Sequence, residues 1–522
     1  MSKQFYITTA IDYVNGEPHL GHAYEKVITD VIARAHVALG EEVFYLTGLD
    51  EHGQKVEAAA KAVGQDAQTY CDRLAESWQA FVGRLGLINR DFVRTTSTRH
   101  KEVVQAILTR LHEKGEFYKQ TYTGWYSTKE ETFLTEKDRN EDGSFDPKWG
   151  TVTELQEDNY YFKLGEHQQW LIDHIEANPD FVQPAYRRNE VLGFLKNNQL
   201  EDLCSTRPRN RMAWGIPFPF DEEFVTYVWF DALTNYISVP AARGDATVRS
   251  GLGLPEAGGE SLSLWPADVH VIGKDILKFH CVYWPIMLKA MGLPLPKSVL
   301  VHGWWQKDGE KMSKSTGNVV DPVAVIDEWG LDAFRYYVVR ELDIGPDGNW
   351  TDEGFGNRYS AELANGLGNL ANRSLSMLNR YRDGIVPARH DELAEETRQF
   401  AEETLASLKA HKLQAGLQSI WGLVRRANEY VDKTAPFKLA KDPGQAERLD
   451  EVLYNLVEVV RILSVLLWPY IPTSAGRLFG QLGLEGEPDR LAAAEWGGMN
   501  PGHQVGKPAP LFPRKDLPPK EA

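Results

Sequence analysis

The stretch FYITTAIDYVNGEPHLGHAYEK, residues 5–26, decides the fold. Its opening run FYITTAI is rich in β-branched and aromatic residues, the composition of a buried strand. Asn15, Gly16 and Pro18 then build a turn, and a helix is expected from Pro18 to about Leu39, since proline suits a first helical turn. His19 and His22 stand at i and i+3, so both rings project from one face beside backbone N–H groups that attract phosphate. Gly21 between them leaves room for a planar group to approach the backbone. Taken alone, a histidine pair at a helix start is more often surface or capping chemistry.

Outward from this stretch the same order repeats. EVFYLTG (42–48) and DFVRTT (91–96) read as further strands separated by helical sequence, and FVTYVWF (224–230), DVHVIG (268–273) and SVLVHGW (298–304) resume the alternation. Alternating strands and helices give an α/β fold with a parallel sheet and crossover helices, whose ligands gather at the carboxyl ends of the strands. Residues 117–210, aromatic and turn-rich, read as an insertion that splits this catalytic domain into 1–116 and 211–300. A lysine-rich loop region is expected over 301–360, an all-helical domain over 361–500, and a proline-rich surface tail with a disordered end over 501–522.

Composition narrows the function. The net charge of −17 argues against holding nucleic acid by bulk electrostatics, so any such contact must be local. Cys71, Cys204 and Cys281 are scattered in no paired spacing, which excludes a disulfide framework or a cysteine-built zinc site and fits a reducing compartment. The apolar run 452–471 contains Asn455, Glu458 and Arg461, so it reads as a buried helix rather than a membrane span. No export signal precedes the first strand, and a cytoplasmic location is expected.

The second informative stretch is KDGEKMSKSTGNVVDP, residues 307–322. Lys311 and Lys314, with Ser313 and Ser315 beside them, make a cationic loop suited to polyphosphate oxygens. HLGH at 19–22 together with KMSKS at 311–315 resembles the class I aminoacyl-tRNA synthetases. That resemblance implies a Rossmann-type core, ATP as substrate with Mg2+ as companion, and attack of an amino-acid carboxylate on the α-phosphate. It assigns His19 and His22 to the phosphates in the transition state, Lys311 and Lys314 to the departing pyrophosphate, and Gly21, Glu25 and Gly273 to the adenosine. No enzyme nucleophile is needed, because positioning and charge stabilisation carry such a reaction.

Within that class the insertion is too small for a large editing domain. AIDYVNG, GLDEHGQK (48–55), TYVWFDALTNY (226–236) and HVIGKDILKFHCVYWP (270–285) resemble the methionine-specific family most closely. The resemblance places the methionine side chain among Ile11, Tyr13, Trp229, Ala232, Leu233, Tyr236, Ile276, Phe279 and His280, and its ammonium on Asp50. A polarisable thioether gains from aromatic edges, which fits this set. Asp50 has a plainer reading as the N-cap of the helix that follows.

The resemblance extends to tRNA with a CAU anticodon, initiator and elongator alike. Asn365, Asn369 and Arg373 fall at i, i+4 and i+8 of a helix, and Phe437 offers a stacking ring where the family pattern has tryptophan. Many relatives build a zinc knuckle from cysteine pairs in the insertion. Here Ser127 and Glu130 occupy such slots, so no zinc is expected and the knob should rest on aromatic residues such as Trp125, Tyr126, Phe133 and Trp149. A monomer is expected, because relatives that dimerise through an appended domain are longer.

Overall fold

The computed structural model describes residues 4–14, 16–127, 129, 132–134, 136–140, 142–257, 261–312 and 317–515. The chain forms two compact units, one of residues 1–17, 46–80 and 90–301, the other of residues 18–45, 81–89 and 302–522.

The first unit is built on a seven-stranded sheet. Strands β1 (Phe5–Thr9), β2 (Asp12–Tyr13), β3 (Val43–Asp50) and β4 (Asp91–Arg94) form one half. All eight residues of β3 are buried, as expected for a strand covered on both faces. β5 (Phe117–Ser127), β6 (Thr132–Leu134) and β7 (Val152–Phe162) then leave this sheet for an antiparallel one of their own. β8 (Val182–Gln183) returns to the main sheet, and β9 (Leu203–Cys204) closes the antiparallel one against β7. β10 (Thr206–Pro208) pairs with β11 (Phe224–Thr226) in a separate ribbon, after which β12 (Val269–Gly273) and β13 (Ser298–His302) complete the main sheet. Its order is β2-β3-β1-β12-β13-β8, with β4 also on β3. Pairing is parallel: Ile7 faces Val269, Leu46 faces Asp91, and Val299 faces Val182.

Two sequence expectations change here. The stretch 117–210 is not a simple insertion, since β8 lies inside it and forms an edge of the main sheet. FVTYVWF does not join that sheet either: its first three residues pair with β10, and Tyr227 then caps a helix at Val228–Ala232. Strand propensity describes a half-buried pleated surface, and here the local turn overrides it.

The antiparallel knob is held by stacked polar and aromatic contacts. Ser127 Oγ donates to the Trp149 carbonyl at 2.5 Å, tying the end of β5 to a short turn. The Arg139 guanidinium lies 5.1 Å from the Trp125 ring and 5.4 Å from Phe145, and Arg211 lies 3.9 Å from Tyr126. Phe133 pairs through its backbone with Tyr126, while its side chain and all of Glu130 lie outside the described residues.

In the second unit the central element is α1 (Leu20–Ala38), buried almost all round. Burial of its Asp30 is offset by three donors: Arg34 at 2.7 Å, Arg335 at 2.8 Å and the Ile88 N–H at 2.7 Å. Arg335, fully buried, also donates to the carbonyls of Leu85, Pro469 and Tyr470. A small sheet of β14 (Trp305–Lys307), β15 (Glu310–Lys311) and β16 (Gly348–Trp350) leads into the lysine loop.

Helices follow. The apolar run forms Ala446–Leu467, with Glu458 paired to Arg461 and accepting from the N–H groups of Gly497, Gly498 and Met499. No helix among the described residues is long and apolar enough to cross a membrane. The end of the chain corrects another expectation: Val505, Leu511 and Phe512 are buried, and the Tyr359 hydroxyl donates to the Pro513 carbonyl. Residues 516–522 lie outside the described ones.

Candidate active site

In the second unit, the helix begins at Leu20 rather than Pro18, with His19 as its N-cap in extended backbone. His19 Nδ1 accepts the Gly21 N–H at 3.1 Å, and His22 Nδ1 accepts the His19 N–H at 3.2 Å, a reciprocal capping arrangement. The two imidazoles lie 3.8 Å apart. Some of the backbone donors read as open to phosphate are therefore taken by the histidines themselves. With both Nδ1 atoms accepting, each ring carries its hydrogen on Nε2. Gly21 suits the cap: a Cβ there would stand 3.0 Å from His19 Cε1, so the imidazole would have to give by a few tenths of an ångström.

One turn on, Tyr24 packs edge-on against His302 at 5.2 Å and Trp305 at 5.8 Å, which brings the start of α1 beside the strands that lead to the lysine loop. Glu25 is buried and its Oε2 lies 3.0 Å from His302 Nε2. Lys311 sits in β15 with its side chain outside the description, and Ser313, Lys314 and Ser315 lie outside the described residues.

In the first unit, several candidates lie at the carboxyl ends of strands, where α/β sheets gather ligands, and others on short helices. Ile11 follows β1, Tyr13 lies in β2 opposite Asp50 at the end of β3, and Gly273 ends β12. Trp229 and Ala232 lie on the Val228–Ala232 helix, and Leu233 is its C-cap. Ile276, Phe279 and His280 occupy a turn and the start of a π-helix, a form common at functional sites. Trp229 and Phe279 stack at 3.4 Å with planes 14° apart, both only partly buried. Tyr236 and His280 are buried, joined by a 2.7 Å hydrogen bond. Beneath them His270 takes a hydrogen bond from Trp284 Nε1, and burial pushes its imidazole well below the usual range, so it stays neutral.

Asp50 is not a helix cap: the next helix starts at Gln54 with Gly53 before it. Its carboxyl is buried, accepts from the His52 backbone N–H, and leaves Oδ1 with no hydrogen-bond partner among the described residues. Burial, then the nearby Asp231 and Glu51, push its pKa well above the ordinary value. A buried acid with an unmet oxygen suits an incoming ammonium. Asp231 takes the opposite course. Burial works against its ionisation, but His52 and His100 outweigh that and hold it down at about 2. Asp231, His52, His100 and His302 escaped the sequence reading. Asp231 lies within WFDA and His52 within DEHG, where each is flanked by residues with a more evident role.

At the helical end, Asn365 is exposed on a π-helix, Tyr359–Gly368, and Asn369 opens the α-helix Asn369–Arg382. The premise of one continuous α-helical face therefore fails between them, because a π-turn holds more residues than an α-turn. Arg373 pairs with Asp432 at 3.1 Å, and five residues beyond Asp432 Phe437 stands 45 % exposed. Arg382 and Arg426 are tied to Asp450 and Glu396.

A family profile described as tRNA synthetases class I (M) matches residues 5–141 and 148–375. A second, the anticodon binding domain of methionyl tRNA ligase, matches residues 386–516. The methionine–tRNA ligase of Rickettsia felis is 40% identical over 98% of this chain and 99% of its own, and that of Bacillus subtilis 42% identical over 98% and 78%. The Mycobacterium tuberculosis methionyl-tRNA synthetase in complex with methionyl-adenylate superposes with a TM-score of 0.88 at 37% identity, covering 98% of this chain and all of that one.

Proposed function

The chain belongs to the class I methionyl-tRNA synthetases, and from that premise we propose how its residues divide the work. The enzyme joins L-methionine to ATP, giving methionyl-adenylate and pyrophosphate, and then transfers the methionyl group to the 3′ end of its tRNA. A methionine carboxylate oxygen attacks the α-phosphorus, the bond to the β-phosphate oxygen breaks, and pyrophosphate leaves with its electron pair. Nε2–H of His19 and His22 stabilises charge on the α-phosphate oxygens, and Lys311 and Lys314 hold the pyrophosphate, with Ser313 and Ser315 in the same loop. Gly21, Glu25 and Gly273 flank the adenosine. Magnesium would arrive on the triphosphate and help neutralise it; among the described residues no group of three or more His, Cys, Asp or Glu offers a protein-built cage.

The observation that carries the amino-acid assignment is Asp50, a buried carboxyl with an unmet oxygen at the end of β3, in the same unit as the Trp229–Phe279 stack. It pairs with the substrate ammonium, while the aromatic rings, with Ile11, Tyr13, Ala232, Leu233, Tyr236, Ile276 and His280, receive the thioether. Asn365, Asn369 and Arg373 read a CAU anticodon and Phe437 stacks on a base. The enzyme works in the cytoplasm as a monomer and binds no zinc, the knob being held by Ser127 and the Arg139 stack.

ATP–pyrophosphate exchange tested with all twenty amino acids decides the central reading. Exchange with methionine is expected, exchange with another amino acid alone reassigns the pocket, and none at all points to a tRNA-binding protein without the chemistry. Elemental analysis should find no stoichiometric zinc, and sedimentation should give one chain per particle.

A further inference from the structure

Asp231 is fully buried, and each of its carboxylate oxygens is taken by an imidazole from a different part of the first unit. Oδ2 lies 2.6 Å from Nδ1 of His52, in the turn after β3, and Oδ1 lies 2.9 Å from Nε2 of His100, on the helix Thr98–Glu113. His100 Nδ1 continues to Ser238 Oγ at 3.0 Å, on the helix Asn235–Ala242 that also carries Tyr236. Asp231 itself sits between Trp229 and Ala232 on the helix that walls the methionine site. His52 is two residues from Asp50 and gives it a backbone N–H. The same turn is clamped from its other side: Trp214 Nε1 donates to the Glu51 carbonyl at 2.6 Å, and the Gly53 N–H donates to the Trp214 carbonyl at 3.2 Å.

We propose that Asp231 is a positioning residue for the amino-acid substrate: through His52 and His100 it fixes the distance from the ammonium anchor Asp50 to the thioether wall, and so sets the side-chain length the site accepts. The inference rests on the methionine reading of this site and adds to it a source of specificity outside the pocket lining. An apolar pocket distinguishes one methylene only weakly. A rigid span between two anchors sharpens that choice, because a chain one carbon too long cannot seat both ends without moving packed elements. Buried, satisfied polar networks have this rigidity, and a partly satisfied one loses it.

The test exploits the imidazole atom used. In His52→Asn the amide nitrogen falls near the position of Nδ1 and can still donate to Asp231. In His52→Gln it falls near Nε2, away from that oxygen. Both variants are compared with wild type by ATP–pyrophosphate exchange, using methionine and ethionine, which is longer by one carbon. The expected result for His52→Gln is a KM for methionine raised about tenfold, an unchanged KM for ATP, and a methionine-to-ethionine preference in kcat/KM reduced about fivefold. His52→Asn should stay within about threefold of wild type. Asp231→Asn, which replaces one acceptor oxygen by an NH2 group, should loosen the preference as the glutamine variant does.

Equal behaviour of the asparagine and glutamine variants overturns the proposal, as does a loss of thermal stability with the preference intact, since either leaves these residues a purely structural role. Failure of wild type to exchange with methionine would instead overturn the assignment of the pocket.

Discussion

The hydroxyl of Tyr236 lies 2.7 Å from Nε2 of His280, whose Nδ1 lies 3.0 Å from the Ile276 carbonyl oxygen. A carbonyl only accepts, so Nδ1 carries the hydrogen and Nε2 takes the one from tyrosine. The pair fixes both the tautomer and the orientation of a ring expected to touch sulfur. In Tyr236→Phe the buried Nε2 loses its donor, and the fold should lose on the order of 1–3 kcal/mol in denaturant unfolding. The KM for methionine should rise while that for ATP holds.

Asp50 yields a prediction in which stability and activity separate. Its carboxyl has a higher pKa folded than unfolded, so between those two values the folded state binds more protons and stability falls as pH rises. Asp50→Asn removes that cost. The variant should melt at a higher temperature than wild type at pH 7, the advantage should shrink toward pH 4, and methionine-dependent exchange should be abolished. Equal melting temperatures at pH 7 would contradict the burial argument.

The Glu25–His302 contact lies within the second unit, joining the start of α1 to the first residue of the segment 302–522. Replacing His302 by leucine strands a buried carboxylate and should cost about 2 kcal/mol of stability. A double-mutant cycle with Glu25→Leu should return a coupling energy of about 1–3 kcal/mol, since the two groups touch. An additive result would mean that each group relies on other neighbours.

Phe437 is exposed, five positions along the chain from Asp432, the partner of Arg373, and open to a stacking base. Phe437→Ala should leave pyrophosphate exchange intact and raise the KM for tRNA roughly tenfold or more, the scale of losing one base stack at about 1–3 kcal/mol. Phe437→Trp should lower that KM. Arg373→Ala should likewise spare adenylate formation while impairing charging.

The parallel sheet could be read from the sequence because its strands are short, buried and spaced by helical periodicity. β1, β3, β4, β12 and β13 fall where the β-rich runs predict them. β8 could not be read this way: two residues, Val182 and Gln183, carry no periodicity, and only their place beside β13 makes them a strand. The segment around Trp229 misleads for another reason, since aromatic and β-branched residues occur in a short packed helix as well as in a strand. The pocket candidates were found by motif, but the groups that hold them in place were not. Asp231 and His100 are 131 positions apart in the chain, and no local spacing announces their hydrogen bond. Likewise the π-helix before Asn369 leaves no mark in composition.

That irregular helix is braced by the far end of the polypeptide, where Phe512 meets Tyr359 edge-on and Pro513 receives its hydroxyl. Residues 511–513 therefore act as a splint for the element that leads into the helix Asn369–Arg382. Trimming the protein back past Leu511 should loosen the helix Asn369–Arg382 from a distance, and on the anticodon assignment proposed above a protein shortened there should charge tRNA poorly while its adenylation chemistry stays sound.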